Sequence, residues 1–154
     1  MTKAIQIKPH HFVDILRALG EDRAEFKPHR YGHNLHFIAS EILADDEVLL
    51  QIELGADDIC KPCIHNADGR CDDVIDTSFR PQAPRLKDDW NRLIDERWCR
   101  ALGLAPGSRL TARQFCERLR QHVSDMVEIY HEVPAERTAV RAENVRRGIA
   151  KYLG

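Results

Sequence analysis

Cys60-Lys61-Pro62-Cys63 has the spacing that lets two sulfurs reach one metal centre. Cys71 follows after a loop holding Asn66, Asp68 and Gly69, residue types that favour turns. Thiolates are soft ligands, and sites rich in them select zinc or iron–sulfur clusters. Lys61, Asp68, Arg70, Asp72 and Asp73 make the stretch too polar to be a piece of core. A metal or cluster is the organiser that such a loop, residues 57–73, calls for.

Three thiols leave the fourth ligand open, and helix geometry bears on it. Cys99 falls nearly opposite Trp90, Ile94 and Ala101 on a helix expected over Lys87–Leu102, on the side shared with Arg92 and Asp95. A cysteine off the core face of its helix is a candidate ligand. Cys60, Cys63, Cys71 and Cys99 then complete the four-thiolate set of a [4Fe–4S] cluster. Zn2+ accepts the same set, or His65 in place of Cys99. In a third arrangement the three loop cysteines hold a [4Fe–4S] cluster whose fourth iron is open and acts as a Lewis acid. Cys116 borders the apolar stripe of Phe115, Leu119 and Val123, which implies packing.

Histidine is the other unusual component: there are eight, five of them before residue 37. His10 and His11 follow directly from a short strand expected over residues 4–7, and a strand end is a common place for function. They are the candidate catalytic pair. His33 and His36 are three apart on a helix expected over 31–44, which makes them neighbours on one face, and an exposed face explains them without a role.

The elements that must position these groups read as mainly helical. After the first strand, Pro9 opens a helix to about residue 19, with Phe12, Ile15, Leu16 and Leu19 as its stripe. On that wheel His10 points nearly opposite the stripe and His11 lies on its flank. A second strand is expected over 48–54, and Pro81 and Pro84 stiffen a linker before the third helix. Thr111 caps a fourth helix reaching Tyr130, with Gln114 completing a capping box. Pro134 opens a last, basic helix to about residue 153, whose charges are interrupted by glutamates and read as a solvated face.

Composition bounds the rest. With 154 residues, 43% hydrophobic and 31% charged, the chain is expected to be a single soluble domain over 1–154. A net charge of −2 argues against nucleic acid and anionic membrane as partners. No apolar run approaches the roughly 18–20 residues that span a bilayer. The N-terminus meets Lys3 and Pro9 too early for a signal peptide. A cytoplasmic setting is expected, where an odd cysteine count means ligands plus core residues rather than disulfides.

Lys8-Pro9-His10-His11 ahead of an apolar helix, and Ala56-Asp57-Asp58-Ile59-Cys60-Lys61-Pro62-Cys63 with Cys71 behind it, resemble domain-of-unknown-function family 1284, whose members are small bacterial and archaeal proteins. Leu102-Gly103-Leu104-Ala105-Pro106-Gly107 and Leu110-Thr111-Ala112 are similar to that family's middle region. The resemblance implies cluster binding at Cys60, Cys63 and Cys71, with His10 and His11 beside the site. Pro9 stands where the family usually has glycine, and no cysteine follows Cys116.

The expectation is therefore a mainly α (α+β) domain of about five helices and one or two short strands, organised around the cysteine loop. It binds one [4Fe–4S] cluster for electron transfer or redox sensing, with a redox partner or a small-molecule substrate. The alternatives are an open-iron enzyme of lyase or desulfurase type using His10 and His11, and a structural zinc protein that binds a partner.

Overall fold

In the computed structural model, which describes residues 3–154, strand β1 (Ile5–Ile7) turns at Lys8 into helix α1 (Pro9–Gly20). Pro9 suits that start, since its fixed φ is already helical and the first N–H of a helix has no intrahelical partner. Helix α2 (Leu35–Ala44) and strand β2 (Leu49–Ile52) follow, then a hairpin of β3 (Asn66–Ala67) and β4 (Arg70–Cys71). Helix α3 (Lys87–Leu102), strand β5 (Arg109–Thr111) and helix α4 (Ala112–His122) come next. A 3-10 turn at Val123–Asp125, the short α5 (Met126–Ile129) and the long α6 (Ala135–Leu153) complete the chain.

The architecture is α-rich with little strand, as composition and periodicity imply. Local signals act where they were expected. Gly103 ends α3 in the left-handed region, φ 67°. Thr111 Oγ1 accepts from the Gln114 N–H at 3.1 Å while Gln114 Oε1 accepts from the Thr111 N–H at 2.8 Å, a complete capping box. Three expectations are corrected. Gly32, at φ 72°, breaks the helical pattern, so α2 begins at Leu35 and leaves His33 outside it; His33 and His36 are not helical neighbours. The single helix expected to Tyr130 is interrupted by the 3-10 turn. Strand β5 lies where only a turn and a cap were legible.

β1 and β2 pair in parallel, Ile5 opposite Leu50 and Ile7 opposite Ile52, and β5 adds antiparallel to the other edge of β2. The parallel pairing has a functional consequence: the chain leaves both strands at the same edge, one into Lys8-Pro9-His10-His11 and the other toward Asp57 and the cysteine loop. Gln6 and Asp58 extend the pairing, with the Gln6 N–H on Asp58 Oδ2 at 2.9 Å and the Asp58 N–H on the Gln6 carbonyl at 3.0 Å.

Helix α1 runs through the middle of the core. Phe12, Val13, Ile15 and Leu16 are buried, and the Phe12 and Phe115 rings lie 4.3 Å apart. Its most extensive partner is α6, and two glycines set how closely they approach. A Cβ on Gly148 would lie 1.8 Å from the Leu16 carbonyl oxygen, and one on Gly20 would lie 1.8 Å from that of Asn144. Only glycine fits at either point. Among the described residues no helix is long and apolar enough to cross a membrane.

Candidate metal centre and adjoining cavity

The cysteine loop is shaped by its own short-range chemistry. Asp68 and Gly69 take φ of 51° and 88°, the left-handed pair that closes a two-residue hairpin between β3 and β4. The Asp-Gly dipeptide was the signal for this hairpin. Its start is a turn in which the Cys60 and Lys61 N–H groups donate to the Asp57 carbonyl and the Cys63 N–H donates to that of Cys60. The hairpin is tied to the start of α3 by Asp88, whose carboxylate accepts from the Cys71 N–H at 3.4 Å and from Arg70 and Arg92. Burial works to raise the Asp88 pKa, but these two arginines outweigh it and hold it low.

Cys60, Cys63 and Cys71 line one cavity of about 340 Å³, and His10, His11, His33 and His65 line it too. The same three cysteines and His65 also border a smaller cavity of about 30 Å³ on the hairpin side. The His65 N–H points to Cys63 Sγ at 3.5 Å. All five cysteines are free thiols. Burial, then the nearby Asp57 charge, pushes the Cys60 thiol up to about 12, so ligation at neutral pH releases its proton to solvent.

The structure brings the candidate catalytic pair to this cavity and supplies two carboxylates that sequence reasoning did not assign. His10 Nδ1 lies 2.7 Å from Asp95 Oδ2, while its backbone N–H donates to Asp95 Oδ1 at 2.8 Å. His11 Nδ1 lies 2.7 Å from Asp57 Oδ2. Both carboxylates are 0% exposed. An ionised carboxylate only accepts, so each Nδ1 carries the proton and each Nε2 is the ring's open nitrogen. His33 is arranged the other way. Its Nδ1 accepts from the Leu35 N–H at 3.4 Å, which puts the proton on Nε2 as a donor. Burial, then the neighbouring His29 and His11, lowers its pKa and keeps it neutral.

Asp57 also anchors the backbone. Oδ2 accepts from the Lys8 N–H at 2.8 Å, and Oδ1 accepts from the Ile59 and Cys60 N–H groups at 3.1 and 3.0 Å. Burial pushes its pKa up, but the His11 charge and hydrogen bond and the Lys8 N–H overcome this and hold it far below the carboxylate range. Burial likewise lowers the His11 pKa, and the Asp57 charge and hydrogen bond outweigh it to give a net rise. His11, Asp57 and Cys60 offer three ligand atoms within 4.8 Å of one another. The Asp57 oxygens are already occupied by four hydrogen bonds, so this residue positions rather than ligates.

Cys99 is not brought to the loop. It lies eleven residues beyond Asp88, about 16 Å further along α3 at 1.5 Å per residue. It lines neither cavity that the other three cysteines border. Nor does Cys99 lie on a wet face of its helix: it is buried. Helix α3 packs against α1 on one side and against α4 and α5 on others, so Asn91, Asp95 and Cys99 are covered as well as Trp90, Ile94 and Trp98. Burial, then Asp95 and Glu96, raises the Cys99 thiol to about 11. Cys116 is fully buried in the core, in keeping with its stripe.

The family model described as a protein of unknown function, DUF1284, matches residues 28–132. Neither a curated protein nor a solved structure matches the chain.

Proposed function

The chain belongs to the DUF1284 family, and we propose that it is a cytoplasmic iron–sulfur protein in which Cys60, Cys63 and Cys71 hold a [4Fe–4S] cluster beside a substrate cavity. The observation that carries this reading is the convergence of three thiols and two carboxylate-oriented histidines on one cavity. The donor set suits such a group: three thiols, one with an N–H···S contact, on a hairpin with little apolar material of its own.

The remoteness of Cys99 favours the open-iron enzyme over the closed electron carrier. When bound, a cluster with one iron free of protein thiolate supplies Lewis-acid activation of a substrate oxygen or sulfur. The protein's own part is to handle protons. His10, with Nδ1–H committed to Asp95, offers Nε2 as a base, and His11 with Asp57 is its near-duplicate, the ring centroids 4.3 Å apart. His33 Nε2–H is a donor on the same cavity wall.

One observation favours a second reading, a structural Zn2+ held by the three cysteines and His65. His65 Nδ1 lies 2.7 Å from Asp72 Oδ1, the carboxylate–histidine arrangement common behind zinc. Anaerobic purification followed by iron, sulfide and zinc analysis separates the two. The expected result is iron and sulfide with broad absorption at about 400 nm, lost in Cys60→Ala, Cys63→Ala and Cys71→Ala and kept in Cys99→Ala. Stoichiometric zinc without iron sinks the cluster, and loss in Cys99→Ala restores the closed four-thiolate carrier.

A further inference from the structure

The thiols and histidines occupy only part of the cavity wall. Another part is cationic and aromatic, and neither the cysteine site nor the histidine pair uses it. Arg80 lies over the Trp90 ring, 5.2 Å from its centroid, and over Phe79 at 4.7 Å. Arg141 lies over the Tyr130 ring at 5.4 Å, and the Trp90 and Tyr130 rings are 6.4 Å apart. Arg80, Trp90, Tyr130 and Arg141 all line the cavity.

The charges on that face are unequally satisfied. Arg141 Nη2 donates to Asp14 Oδ1 at 3.0 Å, which neutralises it. Arg80 has no carboxylate within ion-pair distance among the described residues. Among the described residues its side chain makes one hydrogen bond, from Nε to the Asp76 carbonyl at 2.7 Å, which leaves both terminal nitrogens of the fork unspent. Burial lowers its pKa; the Asp76 charge opposes this, and Arg141 and Arg137 add to it. Lys87 also lines the cavity, with Asp73 only loosely beside it at 3.9 Å.

A stacked guanidinium with a free planar fork is preorganised for a planar two-oxygen anion. On the same wall Tyr130 is fixed from behind by the buried Trp98, whose Nε1–H donates to its hydroxyl at 3.0 Å. Leu35, Ile59, Ile75 and Ile94 supply apolar wall, which a compact inorganic oxyanion would not use.

We propose that this cavity binds a small organic acid, its carboxylate on the Arg80 fork and its carbon body against Trp90 and Ile75. A carboxylate held there directs the rest of the molecule into the cavity that the thiols and His10 share. The inference names a ligand class for the cavity of the proposed function, but carboxylate binding does not depend on what the thiols hold. The two therefore fail separately: metal analysis reads one and calorimetry the other.

The test is isothermal titration of the full chain, as purified, with succinate, its neutral diamide and inorganic phosphate. Succinate is expected to bind and the diamide to bind at least roughly tenfold more weakly, as for loss of a charge-assisted pair. Arg80→Gln is expected to weaken succinate by a similar factor, while Arg80→Lys, which keeps charge but not the fork, retains part of the affinity. If Arg80→Gln misfolds by circular dichroism, Arg80→Lys and the diamide carry the decision. Equal affinity for diamide and succinate, equal affinity for phosphate, or unchanged succinate binding in both Arg80 variants overturns the proposal.

Discussion

The crossing of α1 and α6 and the hairpin that carries the cysteines are held by opposite means. At the crossing, Gly20 and Gly148 let two backbones meet so closely that a single methyl group has nowhere to go. Packing alone fixes the geometry there. Around the hairpin there is little to pack: Ile64 is 67% exposed, and Asp57, Asp88 and Asn66 tie the backbone by hydrogen bonds. The difference teaches where this molecule places stability and where it places chemistry. The crossing is fixed by backbone contact, whereas the cysteine loop, with three free thiols at a cavity, is where the proposed cluster would add stability.

The largest effect is expected at the joint between the two regions. Asp57→Ala removes four hydrogen bonds from a buried site and strands His11, and a loss of about 4 kcal/mol in chemical denaturation is expected, together with reduced metal content. Unchanged metal content in this variant would break the link between the carboxylate and the thiols. Gly148→Ala should cost about 3 kcal/mol by overpacking while its metal stoichiometry stays that of the parent. Equal metal loss in both variants would mean that the regions are not separable.

Acid and base sharpen the contrast further. In the helical region Arg97 grips Glu132 at 2.7 and 2.8 Å, and this hydrogen-bonded pair, against an opposing burial effect, lowers the Glu132 pKa from 4.5. Its contribution is present above 4.5 and lost as pH falls through the depressed folded value, so Glu132→Gln should match the parent only in acid. The His11–Asp57 pair is bounded on both sides. The Asp57 contribution is complete above 3.8 and that of His11 below 6.5; the latter fades as pH rises through its raised folded value. The stability gap between parent and His11→Asn, followed by denaturation across pH, should therefore be widest between 3.8 and 6.5. A gap that grows above that window contradicts the pairing.

The smallest effect is expected at a helix end outside both regions. Thr111→Ala removes one half of the capping box on α4 and should cost about 1 kcal/mol. No change in metal content or succinate binding should accompany it.

What the sequence by itself determined is what depends on neighbours along the chain. The span of α3, the stop at Gly103, the Thr111–Gln114 box and the start of α1 at Pro9 all follow from side chains within one turn of the feature they control. The trio Cys60, Cys63 and Cys71 belongs here in part: a two-residue gap and an Asp-Gly turn put the three on one short loop, while Asp88 from α3 ties that loop down at Cys71. The tertiary structure alone decided who meets whom. Parallel pairing of β1 with β2 put His11 against Asp57, and the packing of α1 on α3 put His10 against Asp95. Packing of α3 against several elements buried Cys99, and its place far along that helix kept it from the loop. The physical reason is that a helical wheel registers one wet face and one dry face, and α1 and α3 are each covered from several sides.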